Sequence, residues 1–166
     1  MSPPLPLGAL AGDFDLVDHQ GRSVRLADYA GRLVVLFFGF THCQVVCPRA
    51  LTKLNAVIRH VDPSRDLIQG LYVTVDPARD DPSVMEAYLR PAYPRFDGVT
   101  GEVETLADMR KAYRVYAQRR EEAGGNYSVP HSALIHVLDR QGRHIDHWPE
   151  TLEESVMIAR LRRLLG

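Results

Sequence analysis

The most constraining feature of this chain is the point where an unbroken apolar run, Leu33 to Phe40, breaks into Thr41-His42-Cys43-Gln44-Val45-Val46-Cys47-Pro48. An apolar stretch without polar alternation reads as a strand buried on both faces of a sheet, which requires helices on both sides. Pro48 suits the first turn of a helix, where its missing N–H costs nothing. The only two cysteines in the 166 residues therefore sit together at a strand-to-helix junction. Free cysteine packs as a small hydrophobe, and its reactivity usually decides where it is kept. A helix N-terminus favours thiolate over thiol, and thiolate is both the redox nucleophile and the soft-metal ligand. The junction points to redox or soft-metal chemistry.

Composition narrows the partners. With 45% hydrophobic and 25% charged residues the chain reads as globular, and its net charge of −1 gives no footprint for nucleic acid or an anionic membrane. No run reaches the ~18 apolar residues of a spanning helix. The opening MSPPLPLGALAG has neither the charged n-region nor the apolar h-region of a signal peptide. Membrane association is expected only through an anchor removed from a full-length form, and a monomer is expected. Residues 1–11 are expected as a flexible lead-in and 12–166 as one domain.

Further elements follow from pattern. Asp18-His19-Gln20-Gly21 reads as the turn of an N-terminal hairpin, flanked by Phe14–Val17 and Ser23–Leu26. The pattern predicts a helix over 48–60, a strand over 66–75 and a helix opening at Pro82. Another helix is expected over 106–113 behind a Thr105 cap, and 121–127 as a flexible loop. A late hairpin (133–138 with 143–147) precedes an amphipathic helix over 152–165, with Thr151 as cap and Glu154 in the capping-box position. The expected fold is α/β and thioredoxin-like: a central mixed sheet flanked by helices, with an N-terminal β-hairpin.

The segment FGFTHCQVVCP, the strand ending Thr74-Val75-Asp76-Pro77, and Val129-Pro130-His131-Ser132 before a strand ending Leu138-Asp139 resemble the Sco/SenC family. The resemblance covers about Gly12 to Leu165. It implies copper, as Cu(I) and/or Cu(II), held by Cys43, Cys47 and His131. It also implies assistance in assembling the copper A centre of cytochrome c oxidase. The partner would be the oxidase subunit carrying that site, or another copper chaperone. The implied location is periplasmic or extracytoplasmic, with a membrane anchor in a full-length form. Where the family reads Cys-Pro-Asp-x-Cys-Pro this chain has Gln44 and Val45, and Pro130 replaces an Asp before the histidine. The three ligand positions survive these changes.

The residues agree with that chemistry. Two thiolates select Cu(I), and an added imidazole makes a mixed site able to hold Cu(II) as well. A closed zinc site needs a fourth protein ligand, and its spacing is missing. Asp76 ends a central strand on the cysteine side, and His42 adjoins Cys43. Both are candidates for supporting the ligands without touching the metal. His19, His60, His136, His144 and His147 carry no motif. As an alternative function, Cys43 and Cys47 act as a redox pair that reduces a partner's cysteines through a mixed disulfide. A peroxiredoxin-type peroxidase needs a hydroxyl residue three before its cysteine, where Phe40 stands. Of the two thiols, Cys43 in the open loop is expected to be the attacker.

Overall fold

The structure is a computed structural model describing residues 14–43, 46–131 and 133–166. The expected lead-in at 1–11, the family departures at Gln44 and Val45, and Ser132 lie outside the described residues. In chain order the strands are β1 (Leu16–Asp18), β2 (Ser23–Val24), β3 (Leu33–Gly39), β4 (Ile68–Thr74), β5 (Phe96–Thr100), β6 (Arg120–Glu121), β7 (Tyr127–Ser128), β8 (Leu134–Leu138) and β9 (His144–Pro149). The helices are α1 (Val46–Val61), α2 (Pro82–Leu89), α3 (Val103–Ala112) and α4 (Glu154–Leu165).

Seven strands form one mixed sheet in the order β2-β1-β5-β4-β3-β8-β9. β3, β4 and β5 run parallel, and the strands at both flanks are antiparallel. This is the expected thioredoxin-like arrangement with its N-terminal hairpin. All seven residues of β3 are buried, and they divide by the two-residue period of a strand. Leu33, Val35 and Phe37 enter a core with Leu51, Leu54 and Ile58 of α1, Met85 of α2, and Met157 and Leu161 of α4. Val34, Leu36 and Phe38 enter a second core with Leu106 and Met109 of α3 and with Tyr113.

Several boundaries differ from expectation. β5 was not anticipated. α3 starts at Val103 behind Glu102 rather than behind Thr105, and α4 starts at Glu154 behind Glu153 rather than behind Thr151. Neither glutamate makes a side-chain cap hydrogen bond, so packing of Leu106, Met109, Met157 and Leu161 sets these helix starts. The expected flexible loop at 121–127 is the tip of a small hairpin, β6 paired with β7. Gly124 and Gly125, at φ 77° and 79°, make its turn.

The β8–β9 register sets His136 opposite His147 and Leu138 opposite His144. His136 and His144 are fully buried, with Nδ1 of the former 3.2 Å from Nε2 of the latter, and the Tyr113 ring lies 5.2 Å from His136. Burial first, then the neighbouring His144 and His147, pulls the His136 pKa down to about 3. The unfolded chain takes up this proton near pH 6.5 and the folded chain does not. Stability is therefore complete above that pH and declines by up to about 1.4 kcal/mol per unit as pH falls toward the folded value. Thermal melts at pH 7 and pH 5 should show a lower Tm at pH 5, with a smaller difference in His136→Phe. Equal pH dependence in both proteins would reject this.

Candidate metal centre

The loop after β3 is held from a distance. The Thr41 N–H donates to Asp80 Oδ2 (3.0 Å), and the Thr41 hydroxyl donates to Asp80 Oδ1 (2.5 Å). Thr74 at the end of β4 donates to the same carboxylate at 2.7 Å. Asp80 is fully buried, so three hydrogen bonds replace the water it has lost. The result ties the cysteine loop to the C-terminal ends of β3 and β4, where open α/β sheets place their sites. Asp80 escaped the sequence reading. Its signal was a carboxylate in the turn that follows a central strand.

The two thiols lie together. Cys43 N–H donates to the Phe40 carbonyl (3.1 Å), closing a turn, and Cys47 N–H donates to Cys43 Sγ (3.4 Å). Cys43 is half-buried and Cys47 fully buried. Gly39 makes room for the second sulfur. A Cβ there would lie 2.5 Å from the Tyr72 hydroxyl and 2.7 Å from Cys47 Sγ. The hydrogen bond with Cys43 and then burial push the Cys47 thiol well above its ordinary range, against a smaller opposing effect of Tyr72. This corrects the expectation that the helix dipole favours thiolate at both positions. At Cys47, desolvation and the adjoining sulfur outweigh the dipole.

Access and acidity therefore act together against Cys47 as attacker. Limited alkylation of the reduced chain, followed by peptide mapping, should label Cys43 first and Cys47 slowly. Faster labelling of Cys47 would show that the loop presents the second thiol outward.

His131 reaches the same end of the sheet from the segment before β8. Its backbone bridges to Ala117, and its ring packs edge-on against Phe40 with centroids 5.7 Å apart. Nδ1 lies 2.9 Å from the Val129 carbonyl. A carbonyl only accepts, so Nδ1 carries a proton and Nε2 is the nitrogen left for another partner. That Nε2 is buried and has no hydrogen-bond partner. A ring oriented through Nδ1, with Nε2 left without a partner, is the arrangement in which histidine presents a nitrogen to a metal.

The remaining expected residues divide. Asp76 is buried, accepts from the Tyr127 hydroxyl (2.8 Å) and pairs with Arg79 (2.5 Å). The Arg79 guanidinium stacks 3.6 Å from the Tyr127 ring. Asp76 thus ties the segment that carries His131 to the end of β4. His42 is exposed, with Nδ1 3.4 Å from the Thr41 hydroxyl. Cys43 and Cys47 are brought together, yet among the described residues no three His, Cys, Asp or Glu side chains are gathered so as to hold a metal ion. Elsewhere the hydroxyl of Tyr113 is buried without a partner.

Comparison with known proteins gives consistent matches. The sequence model of the SCO1/SenC family matches residues 4–166. The chain is 38% identical over 154 residues to the mitochondrial SCO2 homolog of Danio rerio, covering 91% of this chain and 55% of that protein. It is 36% identical over 155 residues to the human mitochondrial SCO2 homolog, covering 92% and 58%. The chain thus spans little more than half the length of these curated relatives. Among solved structures, Bradyrhizobium japonicum ScoI with copper bound superposes with a TM-score of 0.87 at 34% identity, over 95% of this chain and all of that one. Yeast Sco1 with copper bound gives 0.84 at 29%, over 93% and 87%. The relatives' names overturn the expected periplasmic or extracytoplasmic location, because the vertebrate and yeast relatives are mitochondrial proteins. Two cysteines and a near-neutral charge carried no address from which the compartment could be read. No helix among the described residues is long and apolar enough to cross a membrane.

Proposed function

The chain belongs to the SCO1/SenC family, and on that premise we propose that it is a copper metallochaperone that assists assembly of the copper A centre of cytochrome c oxidase. Copper here is cargo, held by Cys43, Cys47 and His131 and passed on by ligand exchange. The observation that carries this reading is the buried, unpartnered Nε2 of His131, oriented by the Val129 carbonyl. Similar proteins solved with copper bound support it. The three ligands are not yet gathered, so capture draws the His131 segment and the cysteine loop together. Asp76 and Asp80 limit that movement, since each ties one of the two segments to the end of β4. Titrating the reduced chain with copper should show saturation at one ion per chain and a thiolate-to-Cu(II) charge-transfer band. Absence of stoichiometric binding would reject the reading.

With an added two-electron oxidant such as oxidised glutathione, the same pair is expected to lose two protons and two electrons and close as a disulfide, and a reductant to reopen it. The Cys43 sulfur already lies 3.4 Å from the Cys47 backbone N–H. Oxidation removes two of the three ligands at once, since metal binding needs thiolates. Mass spectrometry of the oxidised chain should show the loss of two hydrogens and no retained copper. Stoichiometric copper on the disulfide form would contradict the ligand set.

A further inference from the structure

Beside the metal centre lies a cleft of about 430 Å³, bounded by the end of β4, by α3 and by the 117–129 segment. Its apolar wall includes Val75, Ala117 and Val129, and its polar rim includes Arg110, Arg119 and Tyr127. Two of these three polar groups are engaged. Arg119 pairs with Glu121 at 2.7 Å and stacks 3.8 Å from the Tyr127 ring, while Tyr127 donates to Asp76.

Arg110 is different. It is half-buried, its pKa is drawn down by burial with no acidic neighbour opposing the shift, and among the described residues its guanidinium has neither an ion pair nor a hydrogen bond. A charge withdrawn from water is ordinarily paired, so this guanidinium lacks a counter-charge that the chain does not supply. A guanidinium fork matches a carboxylate in geometry as well as in sign. Asp76 and Glu102 also line the cleft. Their charge disfavours a doubly charged phosphate and tolerates a single carboxylate. The apolar wall suits the aliphatic stem of an acidic side chain.

We propose that this cleft is a carboxylate-binding subsite that receives an acidic side chain of the polypeptide to which the chain delivers copper. The identity of that polypeptide rests on the function proposed above, whereas the subsite itself does not. Position supports the pairing of the two. Val129, on the cleft wall, accepts the His131 hydrogen bond, and Ala117, on the same wall, bridges to the His131 backbone. A side chain seated in the cleft therefore touches both segments that hold the third copper ligand, and it places its own chain beside the metal.

The test uses the reduced, metal-free chain and two-dimensional amide NMR. The probes are the capped peptide AEVEA, its glutamine analogue AQVQA, and inorganic phosphate. AEVEA should give saturable shifts confined to residues 75–78, 101–110 and 117–129, weakening as salt is raised. Arg110→Gln should raise its Kd about tenfold, while Arg163→Gln, on α4, should leave it unchanged. If Arg110→Gln fails to fold, Arg110→Lys keeps the charge and should still bind several-fold more weakly, because the fork is lost. No saturable shift with AEVEA, or equal binding of AQVQA, would overturn the proposal. Tighter binding of phosphate than of AEVEA at the same residues would also overturn it, in favour of a small-oxyanion site. Because no copper is present, a failure here leaves the copper titration standing, and a failed titration leaves this result readable.

Discussion

Replacing His131 with alanine is expected to abolish Cu(II) binding, weakening it at least about 100-fold, while Cys43 and Cys47 still hold Cu(I) in part. The asymmetry follows from ligand softness. Two thiolates satisfy Cu(I), and the imidazole is the ligand that makes the site hospitable to Cu(II). The structure gives the histidine no competing task at Nε2, which is buried and unpartnered. The substitution therefore removes a ligand without leaving another group unsatisfied, apart from the Val129 carbonyl. The fold should persist, and a circular dichroism spectrum like that of the parent chain would show it. Competitive titration against a chelator measures both oxidation states. Unchanged Cu(II) affinity would remove His131 from the ligand set.

A second large effect is expected from a single methyl group at Gly39. An alanine Cβ there would meet the Tyr72 hydroxyl at 2.5 Å, Tyr72 Cε1 at 2.6 Å and Cys47 Sγ at 2.7 Å. Tyr72 and Cys47 are both fully buried, and neither is a flexible surface side chain that can swing away. Overpacking of this kind costs about 1–3 kcal/mol, which in a domain of this size is a fall in Tm of roughly 2–12 °C. Relief by displacing Cys47 also moves a proposed ligand, so copper affinity should fall with stability. Gly101→Ala is the control, because a Cβ there meets nothing closer than 3.5 Å. Scanning calorimetry together with copper titration would separate the two effects. A Gly39→Ala protein with the parent's Tm and copper affinity would show that the strand end is not packed against the thiol.

These effects also show where the sequence was readable. β3 was legible because all of its residues are apolar, as they must be in a strand buried on both faces. Cys43 and Cys47 stood out as the only cysteines of the chain, placed together at a strand-to-helix junction, whereas His131 stood out only through the family resemblance; that the three bind one metal is the proposal made above. β5 was not legible, since Asp97 and Gly98 at its centre are poor strand formers. Gly98 is explained only by the packed fold, where a Cβ would lie 2.9 Å from Met85 Cβ of α2. Asp80 was passed over for a related reason, as its partner Thr41 stands 39 positions away in the chain. His136 and His144 carry no motif in the sequence, and only the folded β8–β9 hairpin brings the two buried rings together, beside Tyr113.

The central claim is that two sulfurs and one imidazole hold a single copper ion, and X-ray absorption spectroscopy of the copper-loaded chain tests it most directly. The fine structure should resolve a first shell of two sulfur scatterers and a nitrogen with the outer-shell pattern of an imidazole, and that pattern should vanish in His131→Ala. A shell of oxygen and nitrogen alone, or an imidazole pattern that persists in the variant, would contradict the account.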